Sequence, residues 1–154
     1  MDALTSALAR LSRHAERCAE SLTAVAAAAA DPQMRAELAH RANLQHCAAT
    51  ELATRAGVEG AQGRDVTDGH REIPPFDAGE PGLLEYAAQQ AGRAAAAYGA
   101  LLREPLDDPE LRLLLAHYYR GATELQRMLE QRVADFAPSH ESGRAVRRAT
   151  PPLH

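Results

Sequence analysis

Asp31-Pro32-Gln33-Met34-Arg35-Ala36-Glu37-Leu38-Ala39-His40 recurs further along the chain as Asp108-Pro109-Glu110-Leu111-Arg112-Leu113-Leu114-Leu115-Ala116-His117. Both copies read D-P-[QE]-[ML]-R-x-x-L-A-H, and each follows an alanine- and leucine-rich stretch. An Asp at the N-cap accepts from backbone N–H groups that have no partner inside the helix, and Pro at the first helical position has no donor to leave unsatisfied. Each copy therefore marks the start of the second helix of a hairpin. Two such hairpins predict a four-helix bundle.

Outward from these starts, four segments carry apolar residues in alternating steps of three and four. Helix 1, expected over 3–29, presents Leu4, Leu8, Leu11, Ala15, Cys18, Leu22, Val25 and Ala29. Helix 2, over 32–56, presents Met34, Leu38, Arg41, Gln45, Ala48 and Leu52 in the same register. Helix 3, over 83–102, presents Leu84, Ala88, Ala91, Ala95, Tyr98 and Leu102. Helix 4, over 109–136, presents Leu111, Leu115, Tyr118, Ala122, Leu125, Leu129 and Phe136. The turns inside each hairpin are short, so helices 1 and 2, and helices 3 and 4, are antiparallel neighbours. Gly92 and Gly121 fall at one height of the second hairpin, where facing glycines would let the backbones approach closely.

Between the hairpins, 57–82 is rich in Gly, Pro and Asp, with Ile73-Pro74-Pro75-Phe76 as its one apolar knot. A loop of this length usually has a purpose. Roughly 25 extended residues exceed the length of such a bundle, so the segment is expected to cross from one end to the other rather than simply tether an up-down arrangement. Residues 1–136 thus form one domain, and 137–154 form a basic, disordered tail.

Composition narrows the function classes. Alanine, the best helix former, is the commonest residue, there is no Trp, and all 17 basic residues are Arg, a pattern in keeping with a GC-rich bacterial genome. The chain is all-α. Its net charge of -4 disfavours nucleic acid as a partner. No stretch approaches the ~18 apolar residues of a membrane span, and Met1-Asp2-Ala3-Leu4 lacks the basic start of a signal peptide. Two separated cysteines suit a reducing compartment. The expectation is a cytoplasmic protein with neither nucleic-acid nor membrane partners.

The Asp31-Pro32 start, Arg41-Ala42, Glu51-Leu52 with the following Gly57, and Ala97-Tyr98 resemble the ferritin-like superfamily, in particular its small bacterial four-helix-bundle proteins of unknown function. The resemblance spans about residues 10 to 136. It implies two pseudo-symmetric hairpins joined by a long crossover between helices 2 and 3. In the carboxylate enzymes of that superfamily, two helices each supply an inward Glu and the others each a Glu-x-x-His. This chain departs from that pattern. Glu16 and Glu20 lie opposite the Leu11–Leu22 stripe, Glu85 lies off the helix 3 stripe, and Leu44-x-x-Cys47 and Gly121-x-x-Glu124 stand where Glu-x-x-His is expected. No di-iron centre, and no resident cofactor, is predicted.

Three function classes follow. The first is a non-enzymatic bundle acting through protein contacts, with a protein partner or a second copy of itself. The second is a metal-binding or redox protein holding iron or zinc on His14, Cys18, His46, Cys47 and Glu51, the thiols and imidazoles supplying soft and borderline ligands. Against it, a seam Cys ordinarily packs as a small apolar residue. The third binds a small ligand or anion through Arg41 and Gln45, which the register places on the seam where helix 4 has Tyr118 and Ala122. A slight rotation of helix 2, turning Ala42 and Ala49 inward and Arg41 to the edge, would remove that pocket. His40 and His117 match between the copies but sit about 120° from their stripes, as surface histidines do. The tail segment Ser142-Gly143-Arg144-Ala145-Val146-Arg147-Arg148 is faintly similar to C-terminal docking peptides that load ferritin-like cargo into bacterial protein shells, without their Leu or Ile.

Overall fold

The computed structural model describes residues 2–57 and 73–136. Four long helices account for nearly all of them: α1 (Ala3–Ala28), α2 (Pro32–Ala56), α3 (Gly79–Leu102) and α4 (Pro109–Phe136), with a single 3-10 turn at Phe76–Ala78. No strand occurs among the described residues. The tail, its docking-like segment and most of the 57–82 connection lie outside the described residues.

The caps explain the boundaries. Asp2 accepts from the Thr5 N–H at 2.7 Å and opens α1. Asp31 accepts from the Gln33 and Met34 N–H groups, and Asp108 from those of Glu110 and Leu111, so both Asp-Pro pairs sit at helix starts. Gly57 closes α2 in the left-handed region at φ 76°, where a side chain would be strained. α3 starts at Gly79 rather than at Leu83. Pro81 falls within its first turn, where the missing N–H costs nothing, and the apolar stripe begins only after it.

The Arg of each repeat copy closes its hairpin. Arg35 donates twice to the Ala29 carbonyl at the end of α1, at 3.0 and 3.3 Å. Arg112 donates to the carbonyls of Leu102 and Glu104 at the end of α3, at 3.0 and 2.9 Å. A guanidinium placed there satisfies acceptors that the helix leaves orphaned and complements its negative end.

Core clusters fix how the helices run. One gathers Leu22 and Val25 from late α1, Leu38 from early α2, Leu83 and Leu84 from early α3, and Leu125 and Leu129 from late α4. The other gathers Leu8 and Leu11, Leu52 and Ala56, Ala95 and Tyr98, and Leu111 and Leu115. Hence α1 is antiparallel to both α2 and α3, and α2 runs parallel to α3. The chain leaves α2 at one end of the bundle and enters α3 at the other. Each fully buried leucine stabilises the fold by about 2 kcal/mol.

The α1–α2 approach is close enough for the Ser12 hydroxyl to donate to the Ala49 carbonyl at 2.8 Å. Small residues permit this, and they decide the rotation of α2. Its buried face is Leu38, Ala42, Ala48, Ala49, Leu52 and Ala56, so Ala42 occupies the place that the repeat register assigned to Arg41. A guanidinium without a buried acceptor is expelled to the edge. The glycine pairing also fails. A Cβ on Gly92 would lie 3.0 Å from the Gln126 amide, whereas one on Gly121 would meet nothing within 4 Å. The two glycines do not share a contact.

Candidate functional site

The bundle interior is almost entirely apolar. Among the described residues its buried polar side chains are Ser12, Ser21 and Gln90, and no set of three His, Cys, Asp or Glu side chains is arranged to hold a metal ion. Glu85, Glu124, Leu44 and Cys47 are all exposed. The carboxylates nearest each other on α1, Glu16 and Glu20, line an external groove against α2 together with Asn43 and His46. There the His46 ring nitrogen meets Glu16 at 3.1 Å.

The five residues of the metal or redox reading do not converge. His14 faces α3, Cys18 is fully buried, His46 pairs with Glu16, Cys47 is exposed, and Glu51 holds Arg55 at 3.2 Å. Burial pushes the Cys18 thiol up to about 12, which keeps it protonated and unreactive at neutral pH. His40 and His117 are both exposed, the latter with its ring centroid 5.6 Å from that of Tyr118.

Among the described residues three side-chain polar atoms are buried without a hydrogen-bond partner: Tyr98 Oη, Gln45 Oε1 and His14 Nδ1. Gln45 and Arg41 are both half-buried on α2, outside its fully buried face. Tyr98 packs with its ring centroid 6.0 Å from that of Tyr118. Burial is the main reason its phenol is pushed far above the ordinary value, with Tyr118 and Cys18 adding to it. The His14 imidazole is held below its usual value, first by burial and then by the guanidinium groups of Arg17, Arg13, Arg93 and Arg10.

The four seams of the bundle are unequal. α1–α2, α3–α4 and α1–α3 bring their backbones together, whereas α2 and α4 stay apart. Side chains bridge that gap: Tyr118 reaches Ala15, Ala48 and Ala49, and Arg132 meets Glu37 at 3.4 Å. Beside this bridge Leu44 is 47 % exposed, and Gly121 faces open space. The pattern of any one helix cannot reveal the wide seam, because it is a property of how far apart two helices stand.

No family model, no curated protein and no solved structure matches this chain. No described helix is long and apolar enough to cross a membrane.

Proposed function

We propose that this protein is a non-enzymatic, ferritin-like four-helix bundle that acts through protein contacts, and that the α2–α4 face makes them with a second copy of the chain. The open seam carries the reading. Three seams are closed by backbone approach, and the fourth leaves Leu44 nearly half exposed beside a helix position with vacant space at Gly121. A self-complementary face of this kind suits a two-fold dimer, which would cover apolar surface that one chain leaves wet. The ferritin-like part of the reading is supported by the antiparallel α1–α3 pair and the parallel α2–α3 pair. The function needs no resident metal or cofactor.

Sedimentation velocity over a range of protein concentrations tests it, with Leu44→Arg as the disrupting variant and Leu113→Arg as the control. Leu113 is 72 % exposed on the outer face of α4, away from the seam. The expected result is a concentration-dependent dimer that Leu44→Arg abolishes and Leu113→Arg leaves intact. A monomer at every concentration, or equal responses to the two variants, overturns the proposal.

A further inference from the structure

On the opposite side of the bundle, α1 and α3 enclose a groove near their shared end, roofed at its mouth by the α3–α4 turn, with a volume of about 630 Å³. That lies in the range of small-molecule sites. The helix rise sets its length: from Leu4 to His14 along α1 is about 15 Å. Its floor is apolar, built from Leu11, Leu101 and Leu106 with small alanines between them.

The ends differ in charge. His14 and Arg10 stand at the inner end, with the guanidinium groups of Arg13, Arg17 and Arg93 close enough to act on the imidazole. Glu104, Asp107 and Asp108 stand at the mouth. The His14 ring is half-buried there, and its Nδ1, closed to solvent, has no hydrogen-bond partner among the described residues. A ligand that fits must therefore carry an apolar body of the groove's length and an anionic group at one end only. A small inorganic anion would leave the leucine floor in water, and a neutral chain would make no use of the Arg10 guanidinium.

We infer that the α1–α3 groove is a binding site for a medium-chain carboxylate, its head group at Arg10 and His14 and its alkyl chain along Leu11, Leu101 and Leu106. The carboxylate accepts from the Arg10 guanidinium and from the neutral His14 N–H. The chain displaces water from the alanine and leucine walls, which supplies the larger part of the affinity. This site is independent of the α2–α4 contact face.

Isothermal titration calorimetry with dodecanoate below its micellar concentration tests the assignment, with dodecanol and acetate as the neutral and chainless probes. The expected result is saturable binding of one dodecanoate per chain, with dodecanol at least about tenfold weaker, the worth of one charge-assisted hydrogen bond, and acetate, which lacks the chain, weaker still. Arg10→Ala is expected to weaken dodecanoate by a similar factor and leave dodecanol unchanged. Ala100→Trp, at the exposed rim of the groove, is expected to abolish binding of both. Absence of saturation by dodecanoate, equal affinity for dodecanol, or binding indifferent to Ala100→Trp overturns the proposal. The comparison of probes on the unmodified protein decides the matter even where a variant fails to fold.

Discussion

Replacing Tyr98 by Phe should make this protein more stable. Tyr98 is 1 % exposed, and its hydroxyl has no hydrogen-bond partner among the described residues. In the unfolded chain that hydroxyl is hydrated, so folding strips it of water without compensation, at a cost of about 1–3 kcal/mol. Phe keeps the ring and its packing against Leu11, Leu115 and the neighbouring alanines of the same cluster. Against this gain stands the void left by one oxygen, which forfeits a few dispersion contacts, roughly 0.5–1 kcal/mol. The balance is a stabilisation of about 1 kcal/mol. Tyr118→Phe, at a half-buried position, is the reference and should stay within about 0.5 kcal/mol of the unmodified protein. Urea unfolding followed by far-ultraviolet circular dichroism measures both, and Tyr98→Phe should raise the midpoint with the slope unchanged. A loss of about 1 kcal/mol or more would refute the reasoning, since it would mean that the hydroxyl is satisfied in solution.

Two further expectations use the same assay. Gly121→Ala should stabilise the protein by about 0.5–1 kcal/mol, because a helix-interior Gly gives way to Ala with nothing within 4 Å of the new Cβ, whereas Gly92→Ala must displace Gln126 and should gain less. The reverse order would mean that α4 sits closer to a neighbour than the structure has it. Arg112→Met should cost about 1–2 kcal/mol and Arg35→Met about 1 kcal/mol, since the first loses bonds to two carbonyls and the second to one. Arg127→Met, at an exposed position, should be near neutral, and equal losses at all three positions would remove the clasp from the account.

What could be read from the chain beforehand was what local chemistry encodes. Four helices follow from leucines and alanines at helical spacing, and the starts at Pro32 and Pro109 follow from Asp-Pro pairs whose capping depends only on residues two and three positions on. The rotation of α2 was less legible, because alanine fits a core or a surface equally well. Only the proximity of α1, seen in the Ser12–Ala49 bond, decides between Ala42 and Arg41 for the inward place. The clasping role of Arg35 and Arg112 was visible as a repeated letter but not as a contact, since its acceptors belong to the preceding helix. His14 stood out as a titratable group. Its setting did not, because the groove exists only through the α1–α3 neighbourhood, which no single helix pattern specifies.

The closing of each hairpin by its own arginine bears on how copies of the chain can combine. α1 with α2, and α3 with α4, are each complete units with a fastened turn, and one covalent passage joins them. Two chains can therefore trade hairpins and rebuild every interior contact in an exchanged pair, with no new surface required. The interior is then the same in either form. What distinguishes the closed single chain from the intertwined pair is the entropy of looping one hairpin back onto its own partner, set against the concentration of other chains. A shortened or stiffened connection would shift that balance without touching a single core residue.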